Sequence, residues 1–120
     1  MRIFRNTGFT RFAGKEGITD GELREMVNQL EAGQADANLG GGVYKLRVAR
    51  PGEGKSGGYR VIVFFKSEER TFYMHGFAKS DKANISSKEL ARLKKQAASM
   101  LSMSDAQLTT VLRDGIIAEI

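Results

Sequence analysis

The 120 residues contain no cysteine and a single histidine, His75. The first absence excludes disulfides and thiolate metal sites, and the second excludes a histidine-cluster metal centre. No cluster of Asp and Glu suggests a carboxylate Mg²⁺ site, so no metal or other cofactor is expected. No apolar run approaches the roughly 20 residues that cross a bilayer. The N-terminus, MRIFRNTGF, lacks the apolar centre of a signal peptide, and its alternating basic and apolar residues read as a first strand. A cysteine-free composition fits a reducing cytoplasm, so a cytoplasmic location with no membrane partner is expected. Repeats, low-complexity tracts and linkers are also missing. At 120 residues and 41% apolar content, the expectation is one domain over residues 1–120 with one modest core.

What the chain does have is charge, unevenly placed. Residues 43–82 carry nine Lys/Arg against four acids, an excess of five, while the other 80 residues hold ten of each. The whole net charge of +5 therefore sits in one segment. That segment reads as three consecutive strands. Confining a cationic excess to a sheet points to a polyanion, above all nucleic acid.

The periodicity predicts an α+β fold. Arg2 to Asn6 is a strand candidate, and Thr7 is placed to cap a short helix through Lys15, with Phe9 and Phe12 on one face. Thr19 or Asp20 opens a stronger helix. In it Leu23, Met26, Val27 and Leu30 form the apolar stripe, and Gly33 follows as a C-terminal stop. Gln34 to Gly42 reads as loop. Strand two is expected over Val43 to Ala49, with Leu46 and Val48 on one face and Lys45 and Arg47 on the other. Pro51 to Gly58 reads as a glycine-rich loop. Tyr59 to Phe65 follows as a strand apolar on both faces, which suits a central position. In the next strand, Thr71 to Ala78, strict alternation puts Phe72 and Met74 on one face and Tyr73, His75 and Phe77 on the other. Short connections make this an antiparallel meander. Ser86 or Ser87 caps a helix with stripe Leu90, Leu93, Ala97, Met100 and Leu101 and with Lys88, Arg92, Lys94 and Lys95 on the wet face. Ser104 opens a last helix, Gly115 ends it, and Ile116 to Ile120 forms a short final strand.

Several residues carry chemistry in this pattern. Lys45, Arg47 and Arg60 converge across an antiparallel pair, where mutual repulsion is relieved by a bound anion. The run Ala49 to Ser56 matches a permissive phosphate-loop pattern, but such a loop must open a helix and here it leads into a strand, so nucleotide hydrolysis is not expected. Lys55 is instead free to reach a phosphate from a hairpin connection. A histidine beside cations is destabilised in its charged form, which suits His75 to general-base work. Tyr73 is placed to stack on a base or to pack. Lys79 and Lys82 lie where the chain leaves the sheet, close to the strand-two cations.

The run GGGVYKLRVARPGEGKSGGYRVI, followed by HGFAKSDKANIS, is similar to the RelE/ParE superfamily of toxins and in particular to its HigB-like RelE branch. The likeness spans nearly the whole chain. It implies a small single-domain α+β fold, an antiparallel sheet with N-terminal helices packed on one face and a C-terminal helix pair. It implies a bacterial cytoplasmic toxin of a type II toxin–antitoxin system, a ribosome-dependent mRNA endoribonuclease needing no metal. Its partners would be the ribosome, mRNA and a cognate antitoxin, with oligomers formed only through the antitoxin complex. On this resemblance Lys45 and Arg47 match the family's basic strand pair, Arg60 its Tyr-Arg arginine, and Lys79 or Lys82 the basic residue after the last strand. Many relatives place a tyrosine or histidine there for proton transfer. This chain has Asn84 and Ile85, so Tyr73 and His75 are the nearest substitutes. The expected catalytic set is Lys45, Arg47, Arg60, His75 and Lys79, and the expected RNA contacts are Arg50, Lys55, Tyr73 and Lys82. Some superfamily members act on DNA gyrase, so inhibition of gyrase, or RNA binding without cleavage, is the alternative.

Overall fold

The computed structural model describes residues 1–50, 54–78 and 85–120, except for the side chains of 50 and 54–57. The elements run β1 (Arg2–Asn6), α1 (Thr7–Glu16), α2 (Asp20–Glu31), β2 (Ala37–Gly40), β3 (Val43–Arg50), β4 (Gly54–Lys66), β5 (Arg70–Ala78), α3 (Ser87–Leu101), α4 (Asp105–Arg113) and β6 (Ile117–Glu119). The strands form one sheet in the order β2-β3-β4-β5-β1-β6. Its pairs are antiparallel except β1 with β5, which is parallel. The expected α+β fold is present, with a mixed rather than purely antiparallel sheet. The parallel pair arises because two helices, not a hairpin, follow β1, so its sheet partner comes from 64 residues onward in the chain rather than from a neighbouring turn.

The helix starts are set by side-chain caps. Asn6, not Thr7, caps α1: its side-chain oxygen accepts from the Phe9 N–H. Asn6 also donates to the Met74 carbonyl, so one residue ties the helix start to β5. Thr19 and Glu22 make a reciprocal capping box on α2, and Ser104 with Gln107 repeats it on α4. Ser86 caps α3 by accepting from the Glu89 N–H.

Two segments expected as loop are sheet. Ala37–Gly40 forms the edge strand β2, which pairs with β3 although it carries little apolar signal. Gly40, Gly41 and Gly42 then turn with positive φ throughout, a path that side chains resist. Strand β4 begins at Gly54, which pairs with Arg50, so the hairpin extends beyond the expected Tyr59 start.

The sheet separates two cores. Helices α1 and α2 cover one face with Phe9, Leu23, Met26, Val27 and Leu30 over Leu46, Val61, Val63 and Tyr73. Helices α3 and α4 cover the other with Leu93, Ala97 and Leu108 over Phe4, Val43, Ile62, Phe64 and Phe72. Rings stack through each core: Phe9 on Tyr73 at 5.0 Å between centroids, and Phe4 on Phe72 at 5.0 Å. Strand β4 supplies both cores, and this is why it is apolar in consecutive positions. The second core stops short of one end of the sheet, and that end carries the cations.

Candidate active site

Register defines the site. On the α3 side of the sheet, Lys45 of β3 lies opposite Ile62 of β4, which lies opposite His75 of β5. In the next row outward Arg47 lies directly opposite Arg60, and Arg60 opposite Phe77. Adjacent strands are about 4.8 Å apart, so three cationic side chains and the only histidine rise from two neighbouring rows. Lys45 and Arg60 are half-buried, while Arg47 and His75 are exposed. The Nε of Arg60 is buried and meets no acceptor among the described residues. Arg47 is held by Asp36, with its Nε 3.2 Å from the carboxylate. An arginine whose buried Nε meets no acceptor among the described residues, beside another arginine, suits an incoming acceptor.

His75 reaches this face through a β-bulge. The β4–β5 pairing steps from Val63 with Tyr73 to Ile62 with His75, leaving Met74 as the extra residue. Met74 and His75 therefore point to the same side. The expected alternation breaks here. Phe72, Met74, His75 and Phe77 share the α3 side, and Tyr73 lies alone among the core of α1 and α2. Tyr73 is fully buried, and its hydroxyl donates to the Leu23 carbonyl. Burial pushes its pKa well above the usual phenol value. As folded it can neither stack on a base nor carry a proton to the open face, so the RNA-contact role expected for it is corrected to a packing role.

Other residues of the basic segment hold the fold. Arg70 donates to the Met100 and Met103 carbonyls at the end of α3, 3.3 and 3.0 Å away, and Lys66 pairs with Glu69 in the β4–β5 hairpin. Both lie at the covered end of the sheet. Arg50 and Lys55 sit on strand backbone at the β3–β4 hairpin, and their side chains are outside the described set, as are Lys79 and Lys82 altogether. The Gly54–Ser56 run belongs to a strand and opens no helix, so the phosphate-loop pattern has no cradle.

Two glycines let the backbone close up around the site. A Cβ on Gly76, next to His75, would fall 2.1 Å from the Phe12 ring. A Cβ on Gly58 would fall 1.7 Å from the Val48 carbonyl oxygen, where β3 bulges between its pairings at Val48 and Arg50. Phe12 in turn meets Tyr59 edge-on at 5.5 Å, and the Tyr59 hydroxyl donates to Glu16.

Sequence reasoning missed a cleft of about 400 Å³ beside His75, walled by β5 and the first turns of α3. Arg92 and Gln96 line it; Arg92 read as an ordinary wet-face residue, and Gln96 was not singled out. The available signal was their spacing of four, which puts them on one side of the helix next to the apolar stripe.

Among the described residues no group of His, Asp and Glu is placed to hold a metal ion, and no helix is long and apolar enough to cross a membrane. The fold and the open cationic rows together describe a small α+β protein with a half-covered sheet. The whole chain, residues 1–120, matches the family model described as RelE toxin of RelE / RelB toxin-antitoxin system, and the chain belongs to that family. It is therefore a toxin-family protein whose system includes an antitoxin.

Proposed function

We propose that the protein is an mRNA endoribonuclease that acts on translating ribosomes in the bacterial cytoplasm, within the HigB-like branch of its family. The observation that carries this reading is the pairing of Arg47 with Arg60 beside His75 on an uncovered sheet face. Cleavage of RNA without a metal needs three things: a base for the ribose 2′-hydroxyl, positive charge for the phosphate oxygens, and a proton for the departing 5′-oxygen. His75 takes the 2′-hydroxyl proton as the 2′-oxygen forms its bond to phosphorus. Arg60 and Arg47 donate to the non-bridging oxygens as charge builds there. The bond from phosphorus to the 5′-oxygen breaks, leaving a 2′,3′-cyclic phosphate. Lys45, in the same row as His75, supplies the proton to the 5′-oxygen from its ammonium group. Lys79 stands by its position in the chain as a further phosphate contact, with Arg50, Lys55 and Lys82 as contacts to flanking RNA or rRNA. The cognate antitoxin would block these rows.

The test is primer extension on a defined mRNA in a bacterial translation extract, with wild type and Arg60→Ala. Discrete cuts in translated codons, absent without ribosomes and absent in the variant, support the reading. Intact mRNA in the presence of folded wild type overturns it, and a gyrase supercoiling assay then tests the non-nucleolytic alternative.

A further inference from the structure

His75 shares a row with Lys45 only because β5 carries an extra residue, Met74, just before it. A bulge leaves the extra residue outside the ladder, so its backbone needs another partner. Strand β1 lies on that side of β5, but its last pairing is Arg5 with Tyr73, and from Thr7 the chain is helix α1. Between strand and helix stands Asn6, half-buried. Its side-chain amide donates to the Met74 carbonyl at 2.9 Å, taking over where the β1 ladder ends. The other end of the amide fixes its orientation. The oxygen accepts from the Phe9 N–H at 2.7 Å, so the nitrogen faces β5. Gly76, the residue after His75, lies so close to the Phe12 ring that a Cβ there would fall 2.1 Å from it. Phe12 belongs to the helix that Asn6 caps.

We propose that Asn6 is a positioning residue for His75: by holding the Met74 carbonyl it fixes the bulge that places the imidazole in the row of Lys45. The proposal rests on the ribonuclease reading, in which His75 is the base. Asn6 itself touches no reacting group and acts through Met74. Its two bonds have separate duties. The oxygen serves the helix, as Asp or Ser would at the same place. The nitrogen serves the strand, and among the good capping residues only asparagine has a separate nitrogen donor at that reach. Without that hold the imidazole is free to leave its row. A reacting group misplaced by about 1 Å loses on the order of 100-fold in rate.

Asn6→Asp and Asn6→Ser test this, since each keeps the helix cap and gives up the donor to Met74. Thr19→Ala removes the cap of α2 instead and controls for stability alone. His75 is the only histidine, so its imidazole gives one set of ring signals in a proton–carbon NMR spectrum. Cleavage is followed by primer extension at a temperature where all four proteins are folded. Both Asn6 variants are expected to move the ring signals and to cut roughly 10–100-fold more slowly. Thr19→Ala is expected to leave the signals and the rate as in wild type. Wild-type cleavage by a folded Asn6→Asp or Asn6→Ser overturns the proposal. So does slow cleavage with the ring signals unmoved, or an equal loss in Thr19→Ala. If the wild type never cuts RNA while both Asn6 variants move the ring signals, the clamp stands and the ribonuclease reading falls. Cleavage by the wild type with the signals unmoved in both variants does the reverse.

Discussion

Arg47 and Arg60 stand directly opposite each other across the antiparallel pair β3–β4, on the face that α3 and α4 leave open. Like charges in that relation destabilise a sheet by about 0.2–1 kcal/mol. Asp36 offsets part of this by holding Arg47, while the buried Nε of Arg60 meets no acceptor among the described residues. The pair is intelligible as an anion site and has little value as scaffold.

Arg60→Ala is therefore expected to lower mRNA cleavage at least about 100-fold, the scale for losing a donor to developing charge. Its unfolding free energy should stay within about 1 kcal/mol of wild type, or rise. Urea denaturation and primer extension measure the two quantities separately. A folded variant that still cuts would remove Arg60 from the mechanism.

His75→Gln keeps a polar side chain of similar reach and removes the base. Cleavage should fall by roughly 10²–10⁴. A folded variant that still cuts at the wild-type rate would mean that another group takes the proton.

Tyr73→Phe tests the corrected role. The ring still stacks on Phe9, and only the hydrogen bond to the Leu23 carbonyl is lost. Stability should drop by about 1 kcal/mol with cleavage unaffected. A selective loss of cleavage at wild-type stability would restore a functional role for the hydroxyl.

Gly58→Ala and Gly76→Ala should differ in kind. The added methyl at Gly76 meets the Phe12 ring, a side chain rather than backbone, so a loss of about 1–3 kcal/mol is expected, eased by Phe12→Leu. At Gly58 it meets the Val48 carbonyl, which is backbone, so the loss should be larger and Phe12→Leu should not rescue it. Thermal melts of the four variants decide this.

Glu31, the last residue of α2, accepts from the Glu68 N–H and the Ser67 hydroxyl, each at 2.7 Å. The Glu68 backbone bond, then the Ser67 bond, holds its carboxyl below the ordinary value of 4.5. A depressed folded pKa contributes stability that is present above the unfolded value and lost as pH falls through the folded one. Glu31→Gln should thus melt below wild type at pH 7, with the gap closing as acidification protonates the Glu31 carboxylate. A gap that widens on acidification would contradict these bonds.

Much of the fold was legible because helix stripes and caps are local. Leu23, Met26, Val27 and Leu30 named the buried face of α2, and Thr19, Ser86 and Ser104 named three helix starts. The placement of Lys45 and Arg47 opposite Leu46 and Val48 also followed from simple alternation. What was illegible depended on partners distant in sequence. Ala37–Gly40 is a strand only because β3 offers it a ladder. The cap at Asn6 rather than Thr7 reflects its second bond, to Met74. His75 and Phe77 were grouped with Tyr73 because alternation assumes an unbroken ladder, and no residue type at Met74 announces the break. The cleft at Arg92 needs α3 docked beside β5, which periodicity alone does not provide.

The bulge at Met74 makes the chemistry of β5 a matter of parity. Every residue after it faces the side opposite to that set by uninterrupted counting from Phe72. A chain of the same length that paired here without the bulge would keep its composition, its charge and its sequence. It would nevertheless turn His75 into the oily layer beneath α1 and α2 and bring Gly76 out in its place. Relatives compared with this protein position by position would then align well and still differ in the group they present to a substrate. The functional unit to compare in this strand is the bulge between Phe72 and the histidine, present or absent, as much as the histidine itself.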